Sequence, residues 1–253
     1  MAADEGRPAG AGGSTARARP RNGGGMSSKF RQYRFLRPPD ACEIVLVRHG
    51  ESAEERPGRR HPLLDGQADP ELHEEGTAQA QLVADRLERE DVSAIYATPL
   101  RRTLETASPL AERRNQEILI EPDLREVHLG EWEGVFRQRV ADGDPVLVRM
   151  AQEERWDLIP GAEPAEEFAS RVRAAMTRIA IRHEGELVVV FTHGGVIGQT
   201  LATATGASPF AFIGSDNASI SHIVVHGERW VVRRYNDTTH LRPKLAHDPQ
   251  PLT

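Results

Sequence analysis

The sequence predicts an α/β fold: a mostly parallel central sheet with helices on both faces. Two observations support this. Apolar segments of strand length alternate with amphipathic segments of helical length along the chain. In addition, the predicted strands 43–47, apolar after Glu43, and 187–191 contain continuous apolar runs, which is typical of strands buried on both faces. In such sheets, ligands bind beyond the carboxyl ends of the strands, so the residues that follow each strand become the candidates for function.

The first half of the domain contains three predicted strands and two predicted helices. Ala80, Val83, Ala84 and Leu87 recur on one helical face and predict an amphipathic helix. Residues 53–70 are polar and broken by prolines and glycines, which predicts a long loop. The predicted elements are strands over 43–47, 92–97 and 117–120 and helices over 76–89 and 100–114.

A stretch of different character follows, from residue 125 to residue 164. It contains Trp132, Trp156 and a predicted short helix over 136–152. We interpret it as a helical cap insertion over the C-terminal strand ends. The remaining predicted elements are a helix over 166–182, a strand over 187–191, a helix over 196–205 and a hairpin with strands over 220–225 and 230–235.

The ends of the chain differ in composition from its middle. Residues 1–40 are rich in Ala, Gly, Arg and Pro and carry a net charge of +5, whereas the rest sums to −11. A segment with so few apolar residues cannot bury a core, so we predict a disordered basic extension, not a nucleic-acid-binding arm. One folded domain is predicted over 41–241, and residues 242–253 are predicted to be a loose tail.

Several protein classes are excluded by composition. The longest apolar runs are far too short to cross a bilayer, and no charged start precedes an apolar stretch as in a signal peptide. The single cysteine, Cys42, excludes an internal disulfide and a cysteine-rich zinc site, and its position beside a strand predicts a buried small residue. We therefore expect a cytoplasmic protein with no membrane partner.

Two of the continuous apolar strands end in a histidine. His49 follows the first strand within Arg48-His49-Gly50, and His193 follows residues 187–191. If these strands are neighbours, they lie about 5 Å apart and both imidazoles open into one crevice. Neutral imidazole is a nucleophile near pH 7, Arg48 offers a fork for phosphate oxygens, and Gly50 leaves room for a ligand.

Two further segments carry charged groups just after predicted strands. Thr98-Pro99 turns into a helix that begins with two arginines, Arg101 and Arg102, at an end that favours anions. Glu126 follows the third strand. A zinc site is disfavoured, because no His-Glu-x-x-His or cysteine cluster occurs in the sequence.

Together these motifs resemble those of the histidine phosphatase superfamily, also called phosphoglycerate-mutase-like, over residues 43–235. The matching blocks are Arg48-His49-Gly50-Glu51-Ser52, the Thr98-Pro99-Leu100-x-Arg102 block ending in Thr106-Ala107, the Leu124-x-Glu126 block ending in Trp132-Glu133-Gly134, and Thr192-His193-Gly194-Gly195. The second block places the functional arginine at Arg102 and not at Arg101.

The resemblance implies a phosphatase that hydrolyses a small-molecule phosphate monoester through a phosphohistidine, with neither metal nor cofactor. His49 would be the nucleophile, Glu126 the acid and base, and His193 a third catalytic group. The implied phosphate-binding residues are Arg48, Arg102, Ser52 and Gly194. Residues 41–241 would then form the catalytic domain.

Two alternatives and one departure remain open at the level of sequence. A phosphoglycerate-mutase-type phosphotransferase is disfavoured, because the longer insertion and the Trp-Asn pair usual in mutases are missing. A catalytically inactive phospho-ligand-binding module is disfavoured, because all the implied residues are present. Glu55 stands where many relatives have an asparagine, and a carboxylate there would repel phosphate unless it points away or pairs with an arginine. The sequence leaves a homodimer open.

Overall fold

The computed structural model describes residues 34–56, 58 and 60–241. The compact unit that contains the sheet begins at Arg37. Most of the predicted N-terminal extension, residues 1–33, and the predicted tail, residues 242–253, lie outside the described residues.

A six-stranded mixed sheet forms the centre of this unit, with strand order β5-β4-β6-β1-β7-β8. The four strands from β5 to β1 are parallel, and β7 and β8 are antiparallel additions at one edge. The prediction of a mostly parallel sheet is therefore confirmed. The strands are β1 (Cys42–Arg48), β4 (Val92–Ala97), β5 (Ile118–Ile120), β6 (Leu187–Thr192), β7 (Ile220–His226) and β8 (Arg229–Asp237).

Helices cover both faces of the sheet. Alternate residues of β1 explain the arrangement: Ile44 and Leu46 belong to one buried cluster, and Val45 and Val47 belong to the other. Burying one such side chain contributes roughly 1.5–3 kcal/mol, so both faces of the strand stabilise the fold. The first cluster includes residues of α5 (Ala165–Arg182) and α6 (Gly194–Thr205), and the second includes residues of α1 (Glu74–Leu87) and α2 (Arg101–Arg114).

The segment predicted as an insertion has a small core of its own. Trp132, Met150 and Ile159 are buried together, and Phe136 and Trp156 pack against them. The single helix predicted over 136–152 is wrong, because the chain forms two helices, α3 (Phe136–Ala141) and α4 (Pro145–Glu153).

Local backbone chemistry explains the break between α3 and α4. Gly143 has a φ of +67°, which ends α3, and the side chain of Asp144 accepts a hydrogen bond from Val146 N–H to start α4 at Pro145. That the segment covers the strand ends stays a prediction.

Three smaller differences from the predicted elements also have local causes. The predicted loop over 53–70 contains a short hairpin, β2 (Leu63–Leu64) with β3 (Gln67–Ala68), which turns at Asp65 and Gly66. Helix α1 begins two residues early, because His73 caps it by accepting from Glu75 N–H. Helix α6 begins two residues earlier than predicted, because Gly194 and Gly195 are helical although glycine has a low helix propensity.

Cys42 is almost fully buried, so the prediction of a buried small residue is confirmed. Burial raises the pKa of its thiol to about 12. In the part of the chain that the structure describes, no helix combines the length and apolar character needed to cross a membrane.

Candidate active site

The two histidines that follow strands lie side by side. Strands β1 and β6 are parallel neighbours, with Arg48 opposite Thr192, and His49 N–H donates to the Thr192 carbonyl at 2.9 Å. The imidazole centroids of His49 and His193 are 5.2 Å apart, with their planes inclined by 60°. The expectation that the two imidazoles lie together at neighbouring strand ends is therefore confirmed.

The hydrogen bond of the His49 ring determines which nitrogen is available. Its Nδ1 lies 2.8 Å from the carbonyl oxygen of Gly50. A carbonyl only accepts, so Nδ1 must carry the hydrogen of the neutral ring. Nε2 then holds a free lone pair, which is what a nucleophile requires.

The backbone around His49 is held on several sides. The His49 carbonyl accepts hydrogen bonds from Ala218 N–H and from the Asn217 side chain, both at 3.1 Å. Gly50 N–H donates to the Thr106 hydroxyl at 3.0 Å. A Cβ on Gly50 would lie 2.6 Å from the Gly76 carbonyl oxygen, so only glycine permits this approach to α1. These contacts fix the position of the ring.

His193 presents one bonded and one unbonded ring nitrogen. It is fully buried, and its Nε2 lies 3.1 Å from the Thr98 hydroxyl. Its Nδ1 is buried and has no hydrogen-bond partner. A buried polar atom without a partner costs free energy unless a ligand satisfies it, so Nδ1 marks a ligand position.

Arg48 and Arg102 bring positive charge to the histidines. Arg48 donates through Nη1 to the carbonyl of Ser215, while its buried Nε has no partner. Arg102 is only 8% exposed and donates through Nη1 to the Ala68 carbonyl at 2.8 Å. Neither guanidinium forms an ion pair among the described residues, so both remain available to an anion.

Arg101, the neighbour of Arg102, has a different environment. Its guanidinium is exposed and pairs with Glu71 at 2.9 Å and with Glu105 at 3.0 Å. The prediction that Arg102 faces the site and Arg101 does not agrees with these contacts.

The two adjacent arginines form a matched pair for mutagenesis. We expect Arg102→Ala to lower kcat/KM for a phosphate ester by roughly 10²–10³-fold, because it removes a fixed cation from the position where charge collects on the phosphoryl oxygens. Arg101→Ala should change kcat/KM by less than about threefold, because exposed ion pairs contribute little. Steady-state kinetics on both variants measures the difference, and equal losses would contradict the assignment of Arg102.

Glu126 lies on the segment that follows β5, and its carboxylate contacts the start of α6. Its Oε2 accepts from Gly195 N–H at 3.1 Å, and its Oε1 accepts from Val127 N–H at 3.0 Å. A Cβ on Gly195 would lie 2.4 Å from Oε1, so a larger residue there would displace the Glu126 carboxylate. The Glu126 charge also acts on Arg48 and Arg102, which places the carboxylate beside the arginines.

Burial and the arginines keep both histidines neutral. The pKa of His49 is lowered well below its usual value by burial first and then by the charges of Arg102 and Arg48. The pKa of His193 is lowered in the same direction by burial, by Arg102 and by His49. A neutral His49 is a competent nucleophile at and below neutral pH.

This depression has a consequence for stability. Below about pH 6.5 the unfolded chain protonates these histidines while the folded protein does not, so stability is lost as the pH falls. We expect the free energy of unfolding to decrease by up to about 1.4 kcal/mol per pH unit for each histidine in this range.

Denaturant unfolding between pH 7 and pH 5 in phosphate-free buffer measures this loss. The double variant His49→Asn, His193→Asn is the control, since its free energy of unfolding should depend less steeply on pH. If the free energy of unfolding depended equally on pH in the two proteins, the lowered pKa values of His49 and His193 would be contradicted.

The remaining predicted residues lie at or near this edge. Ser52 is half-buried and lines a cavity of about 590 Å³ together with Arg137. Gly194 is the first residue of α6, where the first N–H groups of a helix have no partner within it. The Glu55 carboxylate accepts from Gln138 N–H at 3.2 Å, in the first turn of α3. Glu55 thus pairs with a helix N-terminus, which favours a negative charge, and not with an arginine.

Sequence reasoning missed two residues of this site, Ser215 and Arg137, and assigned no role to a third, Thr98. Ser215 has a buried hydroxyl without a partner, and a Cβ on Gly194 would lie 3.6 Å both from that hydroxyl and from Arg48 Nε. Arg137 acts electrostatically on both His49 and Arg48. Thr98 holds His193. Ser215 and Arg137 follow no strand of the parallel set, so the strand-end rule did not select them.

A metal centre is a separate question. Among residues 34–56, 58 and 60–241, no group of three or more His, Cys, Asp or Glu side chains is arranged to hold a metal ion. Metal independence stays a prediction that a chelator can test.

Similarity to known proteins identifies the family. Residues 44–238 match the family model described as histidine phosphatase superfamily (branch 1). The chain belongs to this superfamily. This confirms the family that the motifs indicated.

The relatives include proteins named as phosphatases and proteins named as phosphoglycerate mutases or mutase-like. The chain is 35% identical over 202 residues to phosphoserine phosphatase 1 of Hydrogenobacter thermophilus, covering 79% of this chain and 94% of the relative. It is 34% identical over 207 residues to phosphoglycerate mutase-like protein 4 of Arabidopsis thaliana, covering 80% and 88%. Among solved structures, a mycobacterial glucosyl-3-phosphoglycerate phosphatase has a TM-score of 0.67 and 29% identity, covering 78% of this chain and all of that one. The similarity to a solved structure supports the predicted fold, and the names of these relatives support the phosphatase class.

Proposed function

We propose that this protein hydrolyses phosphate monoesters through a phosphohistidine formed on His49. One observation carries the proposal: the lone pair of His49 Nε2 lies at an edge where Arg48 Nε, His193 Nδ1 and Ser215 Oγ are buried without partners. These three are half of the six such side-chain atoms among the described residues. Buried polar atoms are normally satisfied, so their concentration here points to an anionic ligand with several acceptor oxygens.

The first step transfers the phosphoryl group to the protein. His49 Nε2 attacks phosphorus, the N–P bond forms and the P–O bond to the leaving group breaks. Glu126 in its protonated form gives its proton to the leaving oxygen and becomes a carboxylate. Arg48, Arg102 and His193 stabilise the negative charge on the three non-bridging oxygens.

The second step returns the enzyme to its starting state. The Glu126 carboxylate takes a proton from a water molecule, whose oxygen attacks phosphorus. The N–P bond breaks, inorganic phosphate is released, and the electron pair returns to His49 Nε2. Glu126 is protonated again, so protons and charges balance over the cycle.

The site favours a small substrate body. The 590 Å³ cavity is lined by Glu51 and Ser52, which follow His49 closely in the chain, and it carries both signs of charge, including Arg137 and Asp216. A cavity of this size suits a metabolite rather than a protein chain. We propose a small-molecule phosphate ester as the substrate and the cytoplasm as its location.

A mutase-type activity is the second candidate, because several relatives bear mutase names, including phosphoglycerate mutase-like protein 4 at 34% identity and probable phosphoglycerate mutases at 31% and 32%. The two activities are separated by the fate of the phosphoryl group. The test uses the full chain with excess EDTA, p-nitrophenyl phosphate and 3-phosphoglycerate, and an acid-labile phosphoenzyme is trapped by rapid quenching. Phosphate release from p-nitrophenyl phosphate through a labelled enzyme would support the phosphatase. Conversion of 3- to 2-phosphoglycerate with little phosphate release would overturn it.

A further inference from the structure

A mostly buried ion pair connects α5 to the segment that carries Glu126. Arg171 donates to Glu163 from Nε to Oε1 at 2.6 Å and from Nη2 to Oε2 at 2.7 Å. The side chains are 22% and 14% exposed. Two parallel charge-assisted bonds fix the plane of the guanidinium as well as its distance.

The same guanidinium also binds the backbone that leads to Glu126. Nη1 donates to the carbonyls of Asp123 at 2.7 Å and Arg125 at 2.8 Å, and Nη2 donates to the carbonyl of Glu126 at 2.9 Å. With the two bonds to Glu163, all five N–H donors of an arginine are used. A guanidinium so fully engaged serves to hold its surroundings, since no donor is left for a ligand.

Glu163 completes the connection from the other side. Its Oε2 accepts from His128 N–H at 3.2 Å, and its own N–H donates to the His128 carbonyl at 2.9 Å. The chain from Arg125 to Leu129 lies between two short 3₁₀ helices and belongs to no strand or α-helix. Without ladder hydrogen bonds, this stretch depends on side chains such as Arg171 for its position.

We propose that Arg171 is a positioning residue for the reaction: with Glu163, it holds the backbone at Glu126 so that the carboxylate meets Gly195 and the arginines. The inference rests on the proposed role of Glu126 as acid and base. Arg171 contacts neither the phosphate position nor His49. Its charge also helps to lower the pKa of His193, but its hydrogen bonds reach the site only through the backbone at Glu126. Arg171→Lys keeps that charge and so separates it from positioning, since proton transfer requires a carboxyl group held to within a fraction of an ångström.

The chain offers a matched control on the same helix. Arg178 lies two turns after Arg171 and pairs with Glu121 and Asp123 at 2.9 and 2.7 Å, but no bond reaches Glu126. The experiment compares Arg171→Met, Arg171→Lys and Arg178→Met in the full chain. Each is assayed with an alkyl phosphate, whose leaving group needs a proton, and with p-nitrophenyl phosphate, whose leaving group does not.

We expect Arg171→Met to lower kcat for the alkyl phosphate by roughly 100-fold, while the burst of p-nitrophenol slows by less than about fivefold. Phosphohistidine should accumulate with p-nitrophenyl phosphate, because attack by water still needs Glu126. Arg171→Lys should show the same pattern more weakly, since lysine keeps the charge but loses the fork. Arg178→Met should resemble the wild type.

Two further readouts separate positioning from general destabilisation. The Kd for inorganic phosphate should stay within about twofold of wild type, because Arg48, Arg102 and His193 are untouched. In the double variant Glu126→Gln, Arg171→Met, kcat should be less than about threefold lower than in Glu126→Gln alone. The reason is that both changes act through the Glu126 carboxyl group.

Three results would overturn the inference. They are an equal loss of kcat on both esters in Arg171→Met, a weaker Kd for inorganic phosphate in that variant, or a loss of kcat in the double variant equal to the product of the two single losses. If Arg171→Met does not fold, Arg171→Lys and Glu163→Gln must show the dependence on leaving group, and its absence there overturns the inference as well. Failure of the proposed function looks different: Glu126→Gln would itself show no such dependence, or the wild type would form no phosphoenzyme.

Discussion

His49→Asn is expected to lower phosphate release by at least about 10⁴-fold, because loss of a nucleophile removes the covalent route altogether. Asparagine retains a side-chain nitrogen that can approach the Gly50 carbonyl but offers no basic lone pair to phosphorus. The phosphate-binding groups Arg48, Arg102 and His193 remain, so the variant should still bind phosphate. Steady-state assays and labelling after an alkaline quench measure the loss of turnover, and no labelled enzyme is expected; titration with inorganic phosphate measures the binding that remains.

His226→Asn is the control for this variant. His226 is an exposed histidine whose Nε2 lies 3.1 Å from the Asp40 carboxylate, and Asp40 and His226 belong to no part of the proposed site. Its kcat should stay within about twofold of wild type, since an exposed ion pair contributes little. Retained turnover in His49→Asn, or a phosphoenzyme that survives this change, would show that another group is the nucleophile.

Glu126→Gln is expected to lower kcat for an alkyl phosphate by roughly 10²–10⁴-fold, because glutamine can neither give nor take the proton in either step. With p-nitrophenyl phosphate the first step needs little acid catalysis, whereas attack by water still needs a base. A burst of p-nitrophenol followed by slow turnover is therefore expected. Stopped-flow absorbance and quenched labelling measure the burst and the accumulated phosphohistidine.

Glu131→Gln is the matched control, since Glu131 is an exposed carboxylate five residues further along the same segment. It should leave both the burst and the steady state within about twofold of wild type, as expected for an exposed charge. A uniform loss for both esters in Glu126→Gln, without accumulated phosphoenzyme, would remove Glu126 from the acid–base role.

The sequence determined most of the fold because its patterns are local. The buried strands β1 and β6 are continuous apolar runs, and the periodicity of Val83, Ala84 and Leu87 defines the buried face of α1. The errors occurred where local signals compete. Helix propensity did not predict that the glycines at the start of α6 are helical. Glycine at position 195 lets the Glu126 carboxylate come close to the backbone of the helix, and this contact is not visible in the local sequence.

The sequence also indicated His49, His193, Arg48, Arg102 and Glu126, because the end of a strand predicts where such residues lie. The choice between the adjacent arginines came from the family motif. The contacts agree, since Arg101 pairs with Glu71 and Glu105 at the surface, whereas Arg102 is buried.

Only the tertiary structure decided how these groups are tuned and held. The lowered pKa values of both histidines and the hydrogen bond from Gln138 N–H to Glu55 depend on contacts with residues far away in the sequence. Ser215, which is 167 residues from Arg48, and Arg171, which is 45 residues from Glu126, left no local signal. The physical reason is that a pattern in sequence records which face of an element is buried, whereas hydrogen bonds and desolvation depend on which elements meet across space.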